Sequence, residues 1–122
     1  MKDKITISAN HIELTKKLED YINKKMMKLV RYIPRKAKQS LKIEVRLREN
    51  KSESTNKYEA EALFNLPDKT ITAKDSTINI FAAVDILESK LKQQLQKYKS
   101  AHTVNVAGKR IAKLRRLLGR YR

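Results

Sequence analysis

Apolar residues recur along this chain with two different periods, and the switches between them mark its elements. Over residues 4–9, Ile5, Ile7 and Ala9 alternate with Thr6 and Ser8, the period of two expected of a strand. From Leu14 the spacing lengthens to three or four residues, through Leu18, Ile22, Met26, Leu29 and Ile33, which is one face of an amphipathic helix. Thr15 can cap that helix by accepting a free first-turn amide, and Glu19 and Asp20 lie near its positive end. The helix should run to about Tyr32, because Pro34 pushes the residue before it out of helical geometry. Alternation then returns over 41–49, with Leu41, Ile43, Val45 and Leu47 inward and Lys42, Glu44, Arg46 and Arg48 outward. The polar run 50–56 reads as a loop. A third strand, about 57–66, alternates Tyr58, Ala60, Ala62 and Phe64 against Glu59 and Glu61. Pro67-Asp68 is a turn, and a fourth strand covers about 70–74.

The last clear element is a helix over 79–99. Its apolar stripe is Ile80, Val84, Leu87, Leu91, Leu95 and Tyr98, and Asn79 is the preferred cap, with Thr77 the alternative. Lysines flank the stripe at heptad spacing, Lys90 with Lys97 on one side and Lys92 with Lys99 on the other. The element order is therefore β-α-β-β-β-α, an α+β domain. A helical crossover makes the first two strands parallel, and short connections make the next three an antiparallel meander. The result is a four-stranded mixed sheet with two helices packed on one face. No internal repeat is evident.

Composition adds a strong electrostatic bias. The 122-residue chain carries a formal net charge of +16, with 29 Lys and Arg against 13 Asp and Glu. Residues 101–122 hold +7 of that charge without a single acid, and the first hundred residues still hold +9. Such a balance points to a phosphate backbone as partner. The expected division is a 1–100 domain and a basic, flexible 101–122 tail. In the tail, 100–107 reads as a linker and Gly108 and Gly119 bracket a short amphipathic segment. Lys109, Arg110, Lys113, Arg115 and Arg116 of that segment are the weaker candidate RNA contacts. An isolated helix of that length is marginal in water, so order there is expected only on binding.

The stronger candidates are Lys24, Lys25 and Lys28 on the first helix and Lys90, Lys92, Lys97 and Lys99 on the second, read together as one basic surface. Gln94 can add a donor to phosphate or ribose. Solvated lysines that merely keep a protein soluble are the competing reading for any one of these residues. It weakens for the set, because residues 89–122 contain no acid.

Several separated motifs carry a family resemblance over residues 4–100. Ile5-Thr6-Ile7-Ser8-Ala9-Asn10, Glu13-Leu14-Thr15 and Lys24-Lys25-Met26-Met27-Lys28-Leu29 with Tyr32 match the first strand and helix. Asn79 to Asp85, Lys90-Leu91 and Gln94 to Lys99 match the second helix. Together they resemble the ribosome hibernation promoting factors, also called ribosome-associated inhibitors or sigma-54 modulation proteins. One departure is Ala9, where the family usually has Gly, which argues for an ordinary φ or an altered turn. The resemblance implies a fold similar to the double-stranded RNA-binding domain with an extra N-terminal strand. It also implies that the lysine surface contacts small-subunit ribosomal RNA in the decoding channel, where messenger and transfer RNA would otherwise lie. The function implied is translation inhibition in stress or stationary phase, by a cytoplasmic protein that is monomeric off the ribosome. Only 22 residues follow the 1–100 domain, which reads as a short form without the dimerising domain of longer members. Asp85 belongs to the matching motif without an evident physical role.

Other chemistries find little support. There is no cysteine, so no disulfide or thiolate metal site. The two glycines lie in the tail, leaving no Walker loop, dinucleotide fingerprint or Gly-x-x-Gly clamp. His11 and His102 lack ligand-spaced partners, and Glu59 and Glu61 are expected to pair with Arg46 or Arg48 across the sheet. No run of ~18 apolar residues exists to span a membrane, and no secretory signal core is present. Tyr58, Phe64 and Tyr98 read as core, while Tyr32 and Tyr121 are too scattered for a stacking platform. The expectation is a protein without enzyme activity, metal, cofactor or small-molecule substrate. The rival readings are a general structured-RNA-binding or ribosomal protein, a nucleic-acid-modifying enzyme, and a DNA-binding transcription modulator.

Overall fold

The computed structural model describes residues 4–52 and 54–119, with side chains described as far as Ala101. Its strands are β1 (Ile5–Asn10), β2 (Lys42–Glu49), β3 (Tyr58–Asn65) and β4 (Thr70–Thr77), and its helices are α1 (Lys16–Leu29), α2 (Arg35–Lys38) and α3 (Ile80–Gly119). The sheet order is β1-β2-β3-β4. β1 pairs parallel to β2, whereas β2–β3 and β3–β4 are antiparallel. The order, the mixed pairing and the α+β class match the expectation. β4 is longer than expected, reaching Thr77 because Asp75 and Ser76 still pair with Ala60 and Glu59.

One face of the sheet carries the core. Ile43, Val45, Leu47, Ala60, Ala62, Phe64, Ile71 and Ala73 are buried, and both helices add their apolar stripes to the same cluster. From α1 these are Leu18, Ile22, Met26 and Leu29; from α3, Ala83, Val84, Leu87, Leu91, Leu95 and Tyr98. Small alanines at the centre of β3 let the helices approach, and Phe64 fills the space beside them. The opposite face holds alternating charges that pair across strands: Arg46 with Glu61 at 3.5 Å, Arg48 with Glu59 at 3.2 Å and Lys74 with Glu59 at 3.3 Å. Glu59 and Glu61 thus have the cross-strand arginine partners expected of them.

The helix ends follow local chemistry. Thr15 accepts from the Leu18 amide at 3.2 Å. Asn79 caps α3 by accepting from the Phe81 amide at 2.8 Å. Asn79, the preferred candidate, is thus the cap, and Thr77 only steadies it by accepting from the Asn79 amide at 2.8 Å. After α1 a single 3-10 turn spans Val30–Tyr32, and Ile33 before Pro34 is extended. The short α2 went unread in the sequence, four residues being too few to show a period. Ala9 lies within β1 at an ordinary φ, and the left-handed residue near it is His11, φ 62°. The turn that a glycine would ease therefore lies two positions further on.

The helix α3 does not stop at Lys99. Its backbone runs through 100–107, where a linker was expected, to Gly119. No proline or glycine occurs between Pro67 and Gly108 to favour a stop, and the single Gly108 is carried within the helix. The side chains of Lys109, Arg110, Lys113, Arg115 and Arg116 lie outside the described residues.

Candidate nucleic-acid interface

α1 and α3 lie side by side and run in the same direction, as the pairs along their seam show. At the N-terminal end Tyr21 and Phe81 meet edge to face, 5.2 Å between ring centroids. The Tyr21 hydroxyl donates to Asp85, which raises the Tyr21 pKa through that bond first and burial second. Lys25 completes the knot, 3.4 Å from Asp85 and 3.5 Å from Glu88. Burial pulls the Lys25 ammonium down, but Glu88, Tyr21 and Asp85 outweigh it and its pKa is raised. Asp85 thereby gains a physical role, since it ties α1 to α3 through two α1 side chains.

Further along the seam the character changes. The Arg31 guanidinium donates to the Tyr32 hydroxyl at 2.9 Å and lies 5.0 Å from its ring centroid. Lys92 of α3 faces the same hydroxyl. The Tyr32 pKa is lowered, by the Arg31 hydrogen bond first and by the nearby charge of Arg31 and Lys92. Lys24 and Lys28 are exposed on α1 beside this cluster, as are Arg35 and Lys36 beyond it.

The opposite flank of α3 faces the edge strand β4. Lys90 donates to the Lys74 carbonyl and to Asp75, both at 3.1 Å. Gln94, one turn later, donates to the Thr72 carbonyl at 2.8 Å. Tyr98, a turn further, donates to Asp68 at 2.8 Å, and burial with that bond pushes its pKa up to about 12. Helix positions four apart match strand carbonyls two apart, since ~6 Å of helix rise and ~6.7 Å of strand are nearly equal. Lys90 and Gln94 form a clasp on carbonyls of that edge, and Tyr98 extends it to the turn before the strand.

The expected single lysine surface is therefore divided. Lys25 is engaged with Asp85 and Glu88, and Lys90 and Gln94 hold β4. Lys92 and Lys99 lie on the α1 side of α3 and Lys97 on the β4 side, because 100° per residue puts them on opposite flanks of the buried stripe. Lys24, Lys28, Lys92, Lys97 and Lys99 are all exposed. Arg31, Arg35 and Lys36 were missed by sequence reasoning. The signal was present, for residues 21–43 contain eight Lys and Arg and no acid. That acid-free stretch meets the second one, 89–122, where Tyr32 lies beside Lys92. Among the described residues no three His, Asp or Glu side chains are grouped to hold a metal, and no described helix is long and apolar enough to cross a membrane.

Residues 5–103 match the family described as sigma 54 modulation protein / S30EA ribosomal protein. The chain belongs to that family. It is 30% identical over 97 residues to a ribosome hibernation promotion factor of Picosynechococcus sp., covering 79% of this chain and 49% of that one. It is 26% identical over 95 residues to a ribosome hibernation promoting factor of Pseudomonas putida, covering 78% and 85%. The chain thus spans about half the length of the Picosynechococcus relative. A ribosomal subunit interface protein from Coxiella burnetii superposes with a TM-score of 0.63 at 28% identity, over 79% of this chain and 97% of that one. The N-terminal domain of Thermus thermophilus Protein Y shares the fold, with a TM-score of 0.64 at 23% identity over 77% and 97%. The sigma 54 modulation / S30EA family is one of ribosome-associated, non-enzymatic proteins. Its match spans the whole clasped domain and the seam between α1 and α3.

Proposed function

We propose that this chain is a ribosome hibernation factor that binds small-subunit ribosomal RNA in the decoding channel and blocks translation under stress or in stationary phase. Occlusion of a shared site needs no catalytic residue, only binding. The observation that carries this reading is the meeting of two acid-free stretches at Tyr32 and Lys92, in a chain of net charge +16 that belongs to this family. Lys24, Lys28, Arg31, Arg35, Lys36 and Lys92 supply phosphate contacts there, with Lys97 and Lys99 further along α3. Lys25, Lys90 and Gln94 contribute chiefly by holding the surface in place. The tail cations Lys109, Arg110, Lys113, Arg115 and Arg116 add weaker contacts once the domain has docked, through their high local concentration. The protein works as a cytoplasmic monomer until it meets the small subunit.

Sedimentation of the tagged full chain with ribosomes from growing and starved cells tests the reading. Association confined to starved cells, with a chemical footprint on the decoding channel, is the expected result. The family description also carries the words ribosomal protein, which favours a second reading as a standing ribosomal component. Stoichiometric association in growing cells would select that alternative and overturn the first.

A further inference from the structure

A cleft of about 550 Å3 opens on the flank of α3 that faces away from α1. Its floor is Ile71 and Tyr98, 3% and 4% exposed. Its walls include Gln94 from α3 and Asp68 from the β3–β4 turn, and Lys69 and Lys97 stand on its rim from those same two elements. Such a volume lies within the range of small-ligand sites, about 300–1,000 Å3. The acid is itself exposed, and its carboxylate accepts the Tyr98 hydroxyl at 2.8 Å. Both lysines are exposed, and the Lys69 ammonium lies 6.0 Å from the Tyr98 ring centroid. Gln94 is fixed by the Thr72 carbonyl and Tyr98 by Asp68, so the walls are held before any ligand arrives. Two ammoniums on separate elements, over one concavity, suit an anion that bridges them.

We propose that this cleft is a second phosphate-contact site for RNA, with Lys69 as a binding residue and Lys97 as its partner. The inference rests on the reading of the chain as a binder of small-subunit RNA. It adds a path: the strand crosses over α3, from the Arg31 and Lys92 flank to the Lys69 and Lys97 flank. It also gives the β3–β4 turn, which already ties down Tyr98 through Asp68, a part in binding.

The cysteine-free sequence makes the test direct. Single variants Lys69→Cys, Gln96→Cys on the outer face of α3 and Ser8→Cys on the open sheet face each carry a tethered iron chelate that cleaves nearby RNA. Bound to isolated small subunits, positions 69 and 96 are expected to cleave ribosomal RNA and position 8 to stay at background. Cleavage from 96 with none from 69 overturns the second site and leaves the hibernation reading standing. In parallel, Lys69→Ala should lower the magnitude of the slope of log affinity against log salt by about 0.7–0.9, one phosphate contact; an unchanged slope overturns the site in the same way. Failure of the unaltered protein to bind small subunits would instead overturn the functional reading, and this site with it.

Discussion

Replacing Lys90 with alanine should destabilise the domain, although Lys90 is exposed and carries a charge on a surface that already repels itself. The argument comes from what the ammonium touches. It donates at 3.1 Å to the Lys74 carbonyl and at 3.1 Å to Asp75, on the strand edge that α3 covers. The side chains of Lys90 and Asp75 are 46% and 25% exposed, so solvent screens the ion pair to about 0.2–1 kcal/mol. The carbonyl bond adds roughly 0.5–1 kcal/mol at this exposure. A loss of about 1 kcal/mol follows, or on the order of 3–6 °C in Tm for a domain of this size. Lys97, one heptad along the same flank, forms no ion pair with a described residue, and Lys97→Ala should stay within about 0.5 kcal/mol. Adding Gln94→Ala to Lys90→Ala removes a second bond, at 2.8 Å to the Thr72 carbonyl, and should bring the loss to about 2 kcal/mol. Urea denaturation of the full chain and the variants supplies the numbers, and a Lys90/Asp75 double-mutant cycle separates the pair from general charge effects. Lys90→Ala unfolding at the same urea concentration as Lys97→Ala would refute the clasp.

Three further outcomes follow from the same geometry. Asp85→Asn should weaken the α1–α3 seam and return the raised Tyr21 and Lys25 pKa values toward their ordinary values of 10.0 and 10.5, which NMR titration of the two side chains would register; unchanged values would sink the network. In alkali, Tyr98 titrates at about 12 when folded, above the ~10 of an unfolded tyrosine, so its contribution is full below pH 10 and is lost as the pH rises through 12. Tyr32, held low by Arg31, should ionise first; phenolate absorbance in the unaltered protein and the Tyr98→Phe variant checks the order. Binding to small subunits should follow salt with a slope of roughly −4 to −5 if six cations each meet a phosphate, and a combined Arg31→Ala, Lys92→Ala variant should reduce its magnitude by one to two while Lys51→Ala leaves it unchanged.

The parts of the fold that sequence reasoning recovered are those written as long periods. The stripe from Leu18 to Leu29 and the one from Val84 to Tyr98 repeat often enough to define a helix face, and the alternation in 41–49 assigns each residue to a face of the sheet. The parts that escaped it have no period. α2 is a single turn, and the end of β4 has lost its apolar alternation by Asp75 and Ser76. The site was legible as a charge and not as an arrangement. Heptad spacing correctly put Lys90 and Lys92 on opposite flanks of a buried stripe, but spacing within one helix is silent about what each flank meets. One flank meets α1 and the other meets a strand edge, and only tertiary contact shows that Lys90 and Gln94 are occupied by backbone carbonyls. Arg31, Arg35 and Lys36 escaped for the complementary reason. They lie where the periodicity breaks, between the end of α1 and the start of β2, so a search along helix faces passes over them.

The distribution of acids explains why a fold with so many internal ion pairs still presents a basic surface. From residue 59 to 88 every acid is engaged inside the domain. Glu59 and Glu61 bind arginines and Lys74 on the open sheet face, Asp68 takes the Tyr98 hydroxyl, Asp75 takes Lys90, and Asp85 and Glu88 take Lys25. Apart from Asp68, which takes a hydroxyl, these acids offset cations in the places where the fold needs a tie. The surplus is left where no acid follows in sequence, on residues 21–43 and 89–122. Because α1 and α3 run in the same direction, their acid-bearing N-terminal parts meet each other, and so do their acid-free C-terminal parts. The seam is therefore neutral and knotted at one end and cationic at the other. Reversing one helix would have set the acids of each helix against the lysines of the other and erased the cationic end of the seam. The parallel crossover that fixes β1 beside β2 also fixes the direction of α1, so the topology of the sheet is what gathers the charge.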